Sequence, residues 1–190
     1  MKNPFLIGES IYLRALVPAD FEGNYFGWFN DPRVCQFNSH GRRPNNRQNM
    51  EKYYTRVLDD STLAVFAIVF SDNDCHIGNI SLQNINYIDR SAEYAIIMGE
   101  SGYWGKGIAK EASTLILNYG FYTLNLFRIY CGTSAENIPM NKLAKYMGMT
   151  LEGCRRKAIY KNGKYFDINE YGMLVDEFSN REKGDPRESE

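Results

Sequence analysis

A chain of 190 residues, 44% of them hydrophobic, is long enough for one well-buried domain and short for two. Its formal net charge of −1 excludes the broad basic surface of a nucleic-acid binder, and its longest apolar runs fall far below membrane-spanning length. Four cysteines without a C-x-x-C pair and only two histidines argue against a disulfide framework and a zinc site, so no metal is expected. The opening MKNPFLIGES lacks the apolar core of a signal peptide, which leaves a cytoplasmic protein as the expectation.

Residues 11–16 alternate Ile, Leu and Ala with Tyr and Arg, which predicts a strand with one buried face. Pro18 and Asp20 open a helix with Phe21, Tyr25, Trp28 and Phe29 on one side. Gly23 and Gly27 weaken it by about 1 kcal/mol each relative to alanine, and Asn30-Asp31-Pro32 stops it. Residues 33–46 show no period and carry Phe37, His40, Arg42 and Arg43, with Arg47 just beyond. A solvated loop is the plain reading of those arginines; the functional one is a site for an anionic acceptor, because guanidinium groups bind phosphate bidentately. Asn45 or Asn46 caps a second helix with Met50, Tyr53, Tyr54, Val57 and Leu58 as its apolar stripe.

Residues 62–70 and 77–85 read as strands about a Ser71-Asp72-Asn73-Asp74 turn. Residues 92–98 form another, followed by a polar loop, by Gly105-Lys106-Gly107 and by a helical pattern with Ile108, Ala112, Leu115, Ile116 and Tyr119 on one face. Strand, glycine loop and helix together present unpaired N–H groups and the positive end of a helix dipole to an anion. The glycines let backbone approach a phosphate closely. The dinucleotide fingerprint would need glycine where Lys110 stands, and the Walker pattern is absent too, so the ligand is a phosphate-bearing cofactor outside both motifs. Residues 127–133 are a further strand, and Asn137 and Pro139 begin a helix that ends at Gly148. Two last strands, residues 151–160 and 165–175, are joined by the hairpin signal Asn162-Gly163. One domain over residues 1–178 is expected, with a charged, disordered tail over 179–190.

The run Trp104-Gly105-Lys106-Gly107-Ile108-Ala109 resembles the acyl-CoA pyrophosphate loop, Q/R-x-x-G-x-G/A, of the GNAT N-acetyltransferases. Ala92-Glu93 at the start of the preceding strand, residues 120–126, the N-x-x-S-like segment 137–149, Leu151-Glu152-Gly153 and residues 162–167 extend the likeness in the family's order. It covers roughly residues 11–175 and is nearest the branch of ribosomal-protein N-terminal, spermidine and nucleotide-amino-sugar acetyltransferases. The resemblance implies an α/β (α+β) GNAT fold: a central, mixed, mostly antiparallel twisted sheet of about seven strands with helices on both faces. It implies acetyl-CoA as co-substrate and a primary amine as acceptor, with no metal, nucleic acid or membrane involved; a homodimer is one assembly open to it.

By the same resemblance, pantetheine inserts between the strands at 92–98 and 127–133, against the backbone of Ile97 and Met98, and the Met98 N–H polarises the thioester. Trp104, Gly105, Lys106, Gly107, Ile108 and Ala109 form the phosphate loop. Asn137 contacts the cofactor, and Lys142 either reaches its phosphates or is a plain solvated lysine. Glu93 is the candidate general base, against the alternative of an idle carboxylate at a strand end. Phe37, His40, Arg42 and Arg43 fall on the acceptor side. The chain departs from the pattern where a general acid is usual, with Ala144 in place of tyrosine and Met140 in place of serine, and Gly102 replaces the loop's first Gln or Arg. Tyr146 is about 200° around the helix from Ala144 and is no direct substitute. A nucleotide-linked amino sugar leads as acceptor on account of the arginines, followed by a protein N-terminus and a polyamine. A domain that binds acyl-CoA without turnover is the non-enzymatic alternative.

Overall fold

A computed structural model describes residues 1–182. Alternation of side chains across the strands fixes the architecture. In β2 (Ile11–Ala15), Ile11 and Leu13 join one apolar cluster and Tyr12 the other, and in β3 (Ala64–Phe70) Phe66 and Ile68 separate from Val65, Ala67 and Val69 in the same way. Both faces of the sheet are therefore buried. The Ile11 face packs against α3 (Ile108–Asn118), α4 (Ile138–Tyr146) and α5 (Val175–Glu182); the Tyr12 face packs against α1 (Tyr25–Trp28) and α2 (Arg47–Asp59).

The remaining strands are β1 (Leu6–Ile7), β4 (Cys75–Asn86), β5 (Ser91–Met98), β6 (Arg128–Ser134), β7 (Thr150–Lys161) and β8 (Lys164–Leu174). The sheet order is β1-β2-β3-β4-β5-β6-β8-β7, and every neighbouring pair is antiparallel except β5 with β6. This is the expected GNAT architecture, with eight strands among the described residues instead of about seven. The added strand, β1, has two residues, too few to carry an alternating pattern. Between β7 and β8, Asn162 and Gly163 both have positive φ (50° and 79°), as a type I′ turn requires. At the outer edge, β7 changes register twice, between Leu151 and Gly153 and between Arg155 and Ile159, with Lys157 at φ 51°.

Three expectations need correction. The first helix is broken: a 3₁₀ segment, Pro18–Glu22, ends where Gly23 turns extended (φ −94°, ψ −158°), and only Tyr25–Trp28 is α-helical. Glycine's low helical preference makes Gly23 the place of the break. Leu58 is 64% exposed and stands outside the stripe of α2 that Met50 anchors. Residues 179–182, expected to begin a disordered tail, complete α5 instead. That helix is held by buried Phe178 stacked on Phe121 and by the Glu177 carboxylate accepting from the Leu174 N–H at 2.7 Å. Residues 183–190 lie outside the described part.

One buried ionic group ties the 3₁₀ segment to the sheet. Arg14 donates to both oxygens of Asp20 (2.8 and 2.7 Å), the Val17 N–H donates to Asp20 at 2.8 Å, and His76 Nδ1 stands 3.3 Å from it. Burial opposes the Asp20 charge, but Arg14, His76 and Val17 more than offset this and hold the carboxyl far below its usual range. A carboxyl lowered by folding contributes stability that is complete above about pH 4 and is lost as the pH falls. Asp20→Asn is expected to cost about 3–5 kcal/mol at neutral pH, because Arg14 is left buried and uncompensated. Urea unfolding from pH 7 to pH 2.5 measures this, and the deficit against the parent chain should shrink steadily below about pH 4.

Candidate functional site

β5 and β6 run parallel for three paired positions only: Ser91 with Arg128, Ala92 with Ile129 and Glu93 with Tyr130. Beyond them β5 stays with β4 as far as the Gly78–Met98 pair, while β6 stays with β8 to the end, so the two strands part. The Gly99 N–H donates to Ile77 O at 2.9 Å. Antiparallel alternation then aims the backbone groups of Glu93, Ala95 and Ile97 at β4, and those of Tyr94, Ile96 and Met98 into the gap. Of the two backbones expected to meet pantetheine, Met98 offers its N–H to the gap and Ile97 turns its own to β4. The gap belongs to a cavity of about 1930 Å³ that extends from α3 to α2.

At the mouth of the gap lies the glycine loop. Gly105 and Gly107 adopt φ +74° and +81°, which side-chain-bearing residues rarely do, and Gly107 is the N-cap of α3. Gly107 O accepts from Lys110 N (2.9 Å) and Glu111 N (3.2 Å), so the N–H groups of Gly107, Ile108 and Ala109 come before the helical ladder begins. The Trp104 indole donates to Met98 O at 3.0 Å and fastens the loop to the end of β5. α3 is held from behind. Glu111 accepts from the Ser10 N–H at 2.9 Å and from the Ser10 hydroxyl, and the buried Tyr94 hydroxyl meets Ser113 Oγ at 2.7 Å. Lys106 sits over the Tyr103 ring (5.2 Å) and Lys110 over the Tyr146 ring (4.2 Å).

α4 forms the far wall. Asn137 caps it, accepting from Met140 N at 3.3 Å and donating to Thr133 Oγ1 at 3.1 Å; Lys142 is exposed on the cavity side. Ala144 is fully buried in the core, so a tyrosine has no room there. Tyr146 lines the cavity on the loop side, beneath Lys110, in keeping with its separation from position 144.

Because Tyr94 faces α3, Glu93 faces the opposite side of the sheet, where Gln83 is its register partner on β4. Glu93 is half-buried, lines the cavity and accepts from Asn84 Nδ2 at 2.8 Å. Phe37, His40, Arg42 and Arg43 line the same cavity from the irregular segment between α1 and α2, with the His40 ring packed at a tilt of 54° against Phe29 (4.5 Å between centroids). The four acceptor-side candidates and the loop thus share one chamber. Sequence reading passed over Tyr130 and Arg128, whose signal was the alternation of β6. Burial, then the Glu93 charge, push the Tyr130 hydroxyl up, and Arg128 pulls it down. Arg128 is paired with Glu152, and Arg155 with Glu170 at 2.7 Å.

Cys131 also borders the cavity, but burial, aided by the Glu93 charge, pushes its thiol up to about 12. A thiol held up by burial is a poor nucleophile, and Cys131 reads as a core residue at the edge of the cavity. Labelling the native chain with a chromogenic disulfide at pH 8 is expected to modify exposed Cys154 within minutes and buried Cys35 and Cys131 only in denaturant. Rapid native labelling of Cys131 would contradict the geometry.

Residues 10–150 match the family model of an acetyltransferase (GNAT) domain. The spermidine N(1)-acetyltransferase of Vibrio cholerae is 32% identical over 132 residues, which cover 70% of this chain and 75% of that protein. YnaD, an uncharacterized N-acetyltransferase of Bacillus subtilis, is 34% identical over 114 residues, 60% of this chain and 66% of its own length, just under two thirds. Among solved structures, the Vibrio cholerae spermidine N-acetyltransferase in complex with CoA and spermine superposes with a TM-score of 0.82 at 27% identity, covering 90% of this chain and 99% of that one.

Proposed function

This chain belongs to the GNAT acetyltransferase family, and from that premise we propose that it moves the acetyl group of acetyl-CoA to a small primary amine. The observation that carries this reading is the parting of β5 from β6 beside a glycine loop that opens a helix. Pantetheine is itself a chain of amides, and it fits as a short strand against the edge of Tyr94, Ile96 and Met98. The diphosphate fits the N–H groups at the start of α3, with Lys106 and Lys110 adding positive charge. Asn137 and Lys142 complete the cofactor's side of the chamber.

The amine nitrogen attacks the thioester carbon, the carbon–sulfur bond breaks, and the nitrogen gives up a proton. The Met98 N–H stabilises charge on the thioester oxygen, a contribution worth about 10²–10³ in rate for a well-placed donor. Glu93 accepts the amine's proton, directly or through one water. With alanine at 144 and methionine at 140, the leaving thiolate takes its proton from solvent.

For the acceptor, the relatives favour a polyamine, since spermidine stands in the names of three of them. The cavity's own charges favour a second class. Glu152 and Glu170 are each paired with an arginine, whereas Arg42 and Arg43 bring cationic charge to the wall. An amine that carries an anionic group, such as a nucleotide-linked amino sugar, meets complementary charge there. Free-thiol release from acetyl-CoA with spermidine, amino-sugar nucleotides and N-terminal peptides in parallel separates these classes. Silence with all of them, alongside tight coenzyme A binding, would replace the enzyme by an acyl-CoA-binding module.

Gly107→Val forces a β-branched residue into positive φ, although its Cβ meets nothing within 4 Å. Coenzyme A affinity is expected to fall about 10-fold by calorimetry with the fold retained; unchanged affinity would remove the phosphate-loop assignment. Glu93→Gln is expected to lower kcat/KM by about 10² or more. The deficit should be largest at low pH, where more of the amine arrives protonated, and a parental pH profile would end the case for Glu93 as base.

A further inference from the structure

The acceptor-side segment, residues 30–46, is built of turns, and its base is closed by a pair of asparagines. Asn30 Nδ2 donates to Asn45 O at 3.1 Å, and Asn45 N donates to Asn30 Oδ1 at 2.8 Å. Its far end is held by one side chain from the opposite end of the sequence. Lys161, the last residue of β7, donates to the backbone oxygens of Cys35, of Asn38 (2.8 Å) and of His40 (3.0 Å). Arg42 returns a bond to the same hairpin, from Nη2 to Tyr160 O at 3.2 Å.

An ammonium group has three N–H donors, and three carbonyls of one loop take them. The Cys35 oxygen also accepts from the Asn38 N–H at 3.4 Å, whereas the Asn38 and His40 oxygens take their bonds from Lys161. The hydrogen-bonded oxygens bracket Phe37 and end immediately before Gly41, Arg42 and Arg43, so this contact sets how the loop's side chains face the cavity. The hairpin that brings Lys161 here is in turn fixed by the left-handed Asn162-Gly163 turn.

We infer that Lys161 is a positioning residue for acceptor recognition: it touches neither acetyl-CoA nor the reacting amine, and it holds the loop bearing Phe37, His40, Arg42 and Arg43 in the shape that binds the acceptor. This inference rests on the reading of that loop as the acceptor wall. A lysine that served the chemistry would alter kcat, and one that served only the global fold would weaken both substrates together.

The test is Lys161→Met, which keeps the length of the stem and removes all three donors, beside Lys161→Arg. For whichever amine the parent enzyme acetylates, Lys161→Met should raise the acceptor KM about 10-fold. Its kcat should stay within about 3-fold of the parent's, and its calorimetric affinity for coenzyme A should not change. Lys161→Arg should recover part of the loss, because a planar fork cannot reach three converging carbonyls at once. Limited trypsin digestion supplies a readout that needs no acceptor: the bond after Arg42 should be cut several-fold faster in Lys161→Met, while coenzyme A affinity stays parental. Parental proteolysis at Arg42, a parental acceptor KM, or a matching fall in coenzyme A affinity would each overturn the inference. If no amine is acetylated even by the parent, the proposed activity fails on its own account, and the proteolysis result still decides whether Lys161 holds the loop.

Discussion

A strand can satisfy its backbone on two sides, and the centre of this molecule follows from where that rule is suspended. β5 is committed to β4 along one edge, and β6 to β8 along the other. Their own parallel pairing lasts three positions and then lapses, leaving an open edge from the Tyr94 carbonyl through Ile96 to the Met98 N–H. Everything else in the chamber is arranged about that edge. The Trp104 bond to Met98 sets the glycine loop at its end, the Tyr94–Ser113 bond sets α3 behind it, and Glu93 lies at the point where pairing stops. A cofactor with amides at one end and phosphates at the other is the chemical complement of an open strand edge that leads to a helix N-terminus.

The two faces of the sheet divide the labour. The face toward α3 and α4 is apolar through Ile116, Leu117, Ile129 and Ala144, and it gives the loop and helix a rigid seat. On the other face, α1 and α2 leave a chamber between themselves and the polar residues of β4, β5 and β6. The Arg14–Asp20–His76 group secures the start of this half where the helix former is weak. The 30–46 loop is closed at its base by Asn30 and Asn45, and its far end rests on a hairpin more than 100 residues away.

Sequence reading located the glycine loop, seven of the eight strands and the asparagine caps of α2 and α4, because each has a local cause. Gly105 and Gly107 are needed for positive φ, Asn46 accepts from Asn49 N, and Asn162-Gly163 is a turn that few other pairs can make. What it missed depended on distance. Nothing near Lys161 announces that its donors meet Cys35, Asn38 and His40. The weakness expected at Gly23 emerged as a full interruption: the 3₁₀ segment that holds Asp20 against Arg14 ends there. Residues 179–182 looked like tail because their composition is charged; the burial of one aromatic, Phe178, outweighed composition. Ala144 and Met140, seen as departures from a pattern, prove to be packing choices as well, with Ala144 wholly enclosed.

The register breaks in β7 have a consequence for how the protein keeps company with itself. β7 is the outermost strand, 12 residues long and largely exposed, and a flat edge of that length would invite another chain to add a strand. Two bulges and the left-handed Lys157 interrupt its outward row of N–H and C=O groups, and Arg155, Arg156 and Lys157 crowd one of the breaks with positive charge. The edge of this sheet therefore offers no continuous row of backbone groups for a further strand to pair with, and it is the shape of the strand as much as its charge that interrupts the row.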